Sequence, residues 1–256
     1  MTARRHIIVV TNRKGGTGKT TTAVNLAAEF AASGERVLLV DLDTQGHCAL
    51  GLGVRPAAGR PTAHGVLQGR CGLDEAVLST GWVGLDLVPA DPDVQHGRLP
   101  DDDRVLARAL ETSALAARYD RILVDSPPSL DALLFNALAV AHWALIPFVP
   151  HPLAGEGVRQ LARVFFRVAM SSNADLRLLG LLPVMLDPRI GQHRKVCDQV
   201  TAQFGRERLF AGIRGDIKLA ESFAAGRPIR DYAPRSRANQ DYQAVFNAIR
   251  GRLAAG

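Results

Sequence analysis

Residues 11–28 read TNRKGGTGKTTTAVNLAA. They contain most of a phosphate-binding loop and one lysine more than such a loop requires. The pattern G-x-x-x-x-G-K-[ST] fits at Gly18, Lys19 and Thr20, but its first glycine falls on Arg13, with Lys14 beside it. The apolar run HIIVVT (6–11) ahead of the loop reads as a strand, and TTTAVNLAAEFAAS (20–33) behind it reads as a helix. In that order, Gly15, Gly16 and Gly18 let the backbone curl so that its N–H groups, from Gly15 through Thr21, face a phosphate at the positive end of the helix. Lys19 is then expected to meet the β- and γ-phosphates of a nucleotide, Thr17 and Thr21 to lie along the loop, and Thr20 to offer a hydroxyl to Mg²⁺.

The alternation continues along the chain. RVLLVD (36–41), LDLVP (85–89), RILVD (121–125), WALIPFV (143–149), RLLGLLPVML (177–186) and LFAGI (209–213) are short apolar runs without polar alternation, as strands buried on both faces are. Helical stretches such as RVLARALETSALAA (104–117), LDALLFNALAVA (130–141) and LAGEGVRQLARVFFRVAM (153–170) lie between them. The expectation is an α/β fold: a single P-loop NTPase domain over residues 1–256, with a mostly parallel twisted sheet of about seven strands and helices on both faces. Ligands in such folds bind at the carboxyl ends of the strands. The stretches at 53–65 and 89–103 read as long surface loops.

Composition narrows the class. The 256 residues are 47% hydrophobic, and Cys48, Cys71 and Cys197 show no C-x-x-C spacing, against a disulfide framework, a zinc site or a cysteine-bound cluster. A reduced, cytoplasmic protein is expected: the IIVV run is too short for a signal-peptide core, and no stretch approaches the roughly 18 apolar residues of a membrane span. Between Arg189 and Arg237 stand eleven Lys/Arg and five acids, an excess equal to the whole chain's net charge of +6. Composition leaves open whether this is a solvated face or a polyanion-binding surface. His47, His64 and His151 have no second ligand at a suggestive spacing and read as surface or structural residues.

Two further strand ends carry acids. In VDLDTQGHCALGLG, Asp41 and Asp43 alternate and point to one side of an extended segment beside the loop. Asp41 is expected to satisfy backbone N–H groups at the turn, leaving Asp43 to hold a metal-bound water or orient an attacking one. In ILVDSPPSLD, Asp125 ends a strand that Pro127 and Pro128 stop, as suits an acid reaching Mg²⁺ through water.

Together KGGTGKTTTAVNLA, VLLVDLDTQGHCALGLG and ILVDSPPSL resemble the ParA/MinD family of deviant Walker-A ATPases, with its K-G-G-x-G-K-T-T, D-x-D-P-Q-G and I-x-D-x-P-P-S-L motifs. IKLAESFAAGRPIRDYAPRSRANQDY (217–242) is similar to the corresponding segment of the partition ATPases. The resemblance implies an ATP hydrolase requiring Mg²⁺, slow alone and stimulated by dimerisation and a partner. It implies that Lys14 reaches across an ATP-bound homodimer to the other subunit's phosphates, that Asp43 positions the attacking water, and that Thr20, Asp43 and Asp125 serve the metal. Asp187, Pro188 and Ile213 fall where the family receives adenine. The chain departs from the pattern at Thr44, which replaces a proline, and at Arg214 and Gly215, which stand for a proline and an arginine. Lys218 matches the family's second arginine and Glu221 its glutamate.

By the same resemblance, the expected function is a positioning switch. The ATP dimer would bind DNA without sequence preference, through Arg189, Arg194, Lys195, Arg214, Lys218, Arg227 and Arg230, and be nucleoid-associated. A ParB-like or other adaptor would stimulate hydrolysis and so segregate or position a chromosome, plasmid or protein organelle. With only Met1 to Arg5 ahead of the first strand, no separate N-terminal DNA-binding domain is expected. The alternative is a MinD-like membrane-associated regulator, anchored by the stripe Tyr242, Val245, Phe246, Ile249 and Leu253; packing on the sheet is the commoner use of such a stripe, and no stable membrane insertion is expected. An iron–sulfur carrier ATPase would require a close cysteine pair, which the chain lacks.

Overall fold

A computed structural model describes residues 6–94, 101–129, 131–152 and 154–255. In chain order, β1 (His6–Val10) runs through the glycine loop into α1 (Lys19–Ala32), and β2 (Val37–Asp41) is followed by three short helices, α2 (His47–Gly51), α3 (Ala63–Leu67) and α4 (Leu73–Ala76). Then come β3 (Leu78–Ser79), β4 (Leu85–Val88), α5 (Val105–Thr112), β5 (Arg121–Asp125), α6 (Ala132–Val140), β6 (Trp143–Phe148), α7 (Ala154–Ser171) and β7 (Arg177–Pro183). The chain finishes with α8 (Gly191–Phe204), α9 (Ile217–Ala224), α10 (Ile229–Tyr232) and α11 (Arg237–Ala255).

The seven strands form one sheet in the order β3-β4-β2-β5-β1-β6-β7. All neighbours are parallel except β3 and β4. Alternate residues of each central strand enter opposite cores. Val9, Val40, Ile122 and Val124 pack with Leu106, Leu133 and Val168 on one side, whereas Ile8, Val10, Leu39 and Leu123 pack with Leu26, Phe30 and Tyr242 on the other. Register decides what this scaffold presents. Val10 pairs with Asp125 and Asp41 pairs with Asp125, so the ends of three central strands stand level at one edge, where the glycine loop begins.

One sequence expectation changes. LFAGI (209–213) is not a strand: beside β7 its Phe210 N–H donates to the Leu181 carbonyl at 3.0 Å and its Ile213 N–H to the Pro183 carbonyl at 2.8 Å, but the pairing amounts to isolated bridges, Leu181 to Leu209 and, just past the run, Leu186 to Arg214. Gly205, at φ +90°, turns the backbone ahead of the run, and Gly212, at φ +97°, turns it between the two bridges and interrupts a ladder. The seventh strand is instead Leu78–Ser79, antiparallel at the edge and too short to leave a periodic signal. The C-terminal stripe is also settled. Tyr242, Val245, Phe246, Ile249 and Leu253 are all buried in the core beside α1, with Phe30 and Phe246 edge to face at 5.0 Å. Burial of each such side chain stabilises the fold by about 1.5–3 kcal/mol, so the stripe is core and not a lipid anchor. No helix among the described residues is long and apolar enough to cross a membrane.

Candidate nucleotide site

The loop between β1 and α1 is held by its own side chains. Asn12 donates from Nδ2 to the Pro147 carbonyl at 2.8 Å, and its Oδ1 accepts the Lys14 N–H at 3.0 Å, tying the loop to the end of β6. Thr17 donates to the Lys14 carbonyl at 3.1 Å. Gly16 and Gly18 both adopt φ +70°, a conformation that side chains disfavour. Gly18 begins α1 without a side-chain cap, so the helix offers its open amides and positive dipole end to the loop's concave side.

Beneath the loop lies a buried polar cluster. Lys19 is almost fully buried, with Nζ 3.4 Å from the Lys14 carbonyl; burial lowers its pKa, against the pull of Asp125 and Asp43. The Thr20 hydroxyl donates to Asp125 Oδ2 at 2.6 Å. Asp125 is wholly buried, and burial pushes its carboxyl up to about 7 although Thr20, Lys19 and Cys48 oppose the shift. Asp41 accepts the N–H groups of Asp43 (3.0 Å) and Cys48 (3.1 Å), the backbone role expected of it. Burial, then the neighbouring Asp125, holds its pKa well above the usual carboxylate range.

Asp43 stands above this cluster, its Oδ1 accepting the Gln45 N–H at 3.1 Å and its carbonyl the Gly46 N–H at 2.9 Å. Asp41, Cys48 and Asp125 bring potential ligand atoms within 4.8 Å of one another, but both oxygens of Asp41 already accept backbone hydrogen bonds. The oxygen left over is Asp125 Oδ1, buried and without a hydrogen-bond partner. One ammonium group facing several carboxylates, with a spare buried oxygen, fits a divalent cation held near Thr20, Asp125 and Asp43.

Two adjoining hollows open over these residues. A cleft of about 630 Å³ is lined by Gly15 through Thr21, by Asp43, Thr44, Gln45 and His47, and by Pro127, Pro128, Ser129 and Phe223. A more apolar hollow of about 490 Å³ shares Gly18, Thr21 and Phe223 with it and continues over Leu50, Val184, Met185, Ile213, Arg214 and Tyr242. A polar cradle joined to an apolar slot matches the two ends of a nucleotide. Of the three residues placed by resemblance at an adenine, Ile213 lines the slot, whereas Asp187 and Pro188 line neither hollow: Asp187 is paired with Arg189 at 2.8 Å. Their segment contributes Val184 and Met185, the latter at φ +52°, a positive value shared only with glycines among the described residues. Asn12, His47, Cys48 and Phe223 were not singled out as site residues by the sequence reading; their places depend on contacts made across the fold.

Lys14 differs from Lys19 in every respect. Its side chain is exposed at the lip of the loop and has no ion pair among the described residues. The basic residues also divide. Arg194 and Lys195 are exposed on α8, whereas Arg214 grips Asp241 with two nitrogens (3.0 and 2.8 Å) and Arg230 meets the buried Glu29 at 2.8 Å. Lys218 pairs with Glu221 at 2.7 Å, and Arg227 donates to the Asp231 carbonyl at 2.9 Å. Arg214 and Arg230 thus hold the structure together, while Arg194 and Lys195 are exposed with no ion pair among the described residues.

The chain has relatives across nearly its whole length. The AAA domain family matches residues 5–178. The chain is 36% identical over 241 residues to a chromosome partitioning protein ParA of Caulobacter vibrioides, covering 92% of this chain and 90% of that one. It is 38% identical over 248 residues to the chromosome-partitioning ATPase Soj of Thermus thermophilus, with 96% of each covered. Among solved structures, one described as cobyrinic acid a,c-diamide synthase from Mycobacterium smegmatis, with bound ADP and magnesium, superposes with a TM-score of 0.82 at 30% identity, covering 99% of this chain and 97% of that one. With this sheet order, this loop and these relatives, the chain belongs to the ParA/MinD family of P-loop ATPases.

Proposed function

We propose that the protein hydrolyses ATP with Mg²⁺ as part of a dimerisation switch, and that the ATP-bound dimer binds DNA non-specifically to position or segregate a cargo with the help of a stimulating partner. The observation that carries this reading is the division of labour between two lysines. Lys19 is buried beneath the loop, and Lys14 stands exposed at its lip with no acid paired to it among the described residues. Among the described residues of one protomer Lys14 has no acid to pair with; the phosphates of a nucleotide held by a second copy would supply the charge it lacks.

In this reading the loop amides and Lys19 bind the phosphate tail, and Phe223 and Ile213 line the base slot. Thr20 and Asp125 hold the cation, which when bound shields the phosphate charge and lowers the barrier to attack by water. Asp43, at the cleft wall, orients that water. Lys14 from the second subunit stabilises charge on the transferring phosphoryl group, so that activity depends on assembly. The relatives named for chromosome partitioning support the positioning role. Exposed Arg194 and Lys195 support contact with a phosphate backbone.

The test compares wild type, Lys14→Ala and Lys19→Ala. Lys19→Ala should lose ATP binding. Lys14→Ala should keep ATP binding by the protomer while losing both the ATP-dependent dimer, seen by light scattering after gel filtration, and most hydrolysis. Wild-type dimerisation and turnover in Lys14→Ala would refute the cross-subunit role.

A further inference from the structure

Cys48 has no part in the roles just described, yet it touches both buried acids. Asp41 and Asp125 are in register on adjacent strands, and each is fully buried. Cys48, near the start of α2, is fully buried as well. Its N–H is given to Asp41 Oδ2 at 3.1 Å, and its thiol donates to Asp125 Oδ2 at 3.5 Å. The same Oδ2 accepts the Thr20 hydroxyl at 2.6 Å, while Oδ1 has no partner.

The carboxylate of an aspartate turns easily about its last side-chain bond, because that torsion has a broad minimum. One hydrogen bond tolerates a range of positions for the oxygen and so a range of tilts of the carboxylate plane. Two donors to the same Oδ2 from separate elements, Thr20 on α1 and Cys48 on α2, narrow that range. A thiol suits this position: Cys48 packs in the apolar cluster with Val24 and Leu123 and still offers a proton to the acid.

We propose that Cys48 is a positioning residue for Asp125: its thiol, with Thr20, holds Oδ2 so that Oδ1 stays available to the hydrated cation on the nucleotide phosphates. The proposal rests on the reading of Asp125 as the metal-side acid. It also ties the Asp43 turn to the acid at the end of β5, because Cys48 follows that turn directly and is anchored at Asp41.

The experiment uses the full chain and its Cys48→Ala, Cys48→Ser and Asp125→Asn variants. Two quantities are measured: the affinity for a fluorescent ADP analogue in EDTA, and the affinity of the protein–ADP complex for Mn²⁺, read from the free-ion EPR signal. Cys48→Ala should weaken Mn²⁺ binding by about fivefold, the effect of one weak hydrogen bond, and leave metal-free ADP affinity within about twofold. Cys48→Ser, which keeps a donor, should return Mn²⁺ affinity to within about twofold of wild type. Unchanged Mn²⁺ affinity in Cys48→Ala overturns the proposal, as does an equal loss of metal-free ADP affinity, which marks a packing defect, or a failure of serine to rescue. Asp125→Asn separates the two levels: if it leaves Mn²⁺ affinity intact, the metal role of Asp125 is what fails.

Discussion

Replacing Asp125 by asparagine removes a negative charge from a place that opposes it, and the metal-free protein should become more stable at neutral pH. Asp125 is wholly buried, beside Asp41, and its carboxyl is pushed from 3.8 up to about 7. The folded state therefore holds this proton more tightly than the unfolded chain does. The resulting stability is complete below the unfolded value and is lost as pH rises through the folded one. A shift of about 3 pH units, at roughly 1.36 kcal/mol each, puts the loss on the order of 4 kcal/mol by pH 8. An asparagine oxygen in the place of Oδ2 still accepts from Thr20 and Cys48, but the amide nitrogen then takes the place of the unpartnered Oδ1 and is buried without an acceptor, a cost of about 1–2 kcal/mol. The net gain is about 2–3 kcal/mol near pH 8 without metal, and removing the charge also relieves Asp41. Urea unfolding in EDTA between about pH 5 and pH 8 measures this. Wild type should lose stability across the range, and Asp125→Asn should lose markedly less. Parallel pH profiles, or a variant less stable than wild type near pH 8, would refute the reasoning.

Other expectations are local. A Cβ on Gly226, at φ +65°, would meet Gly53 Cα at 2.5 Å, so Gly226→Ala should cost about 2–4 kcal/mol in urea unfolding, whereas Gly15→Ala, with nothing within 4 Å, should change stability by less than about 1 kcal/mol. Arg230→Ala leaves Glu29, 5% exposed, without its cation. The Glu29 pKa, already raised by burial, should rise further, so the variant should be less stable than wild type by about 2–3 kcal/mol near pH 8 and recover as pH falls; a pH-independent difference would contradict this. Arg194→Glu with Lys195→Glu should leave ATP affinity unchanged, weaken DNA binding about tenfold or more, and flatten the logarithmic salt slope by about 1–2; an unaltered slope would remove these residues from the interface.

What the sequence discloses here is what local chemistry encodes. The loop from Lys14 to Thr20 is legible because glycine conformations and lysine spacing are properties of adjacent residues, and Asp41, Asp43 and Asp125 are legible because each follows an unbroken apolar strand. LFAGI is misread because an apolar run of five cannot reveal that Gly212 sits at φ +97°, where a Cβ would meet the Pro183 carbonyl at 3.0 Å, so that the backbone turns there and pairing stays at isolated bridges. Contacts made across the chain are hidden altogether. Arg230 lies 201 positions from Glu29, and Arg214 lies 27 from Asp241, so a basic count cannot tell structural arginines from free ones. The placement of Phe223 between the two hollows, and of Cys48 between two acids, likewise arises only when α9 and α2 pack beside the loop.

The most direct test of the central claim is co-sedimentation of the full chain with non-specific duplex DNA in ATP, in ADP and without nucleotide, each at low and moderate salt. The account predicts binding with ATP alone, weakened steeply by salt, because a nucleotide that brought two protomers together would also gather their basic faces. Equal binding in all three states, or none in ATP, would contradict it.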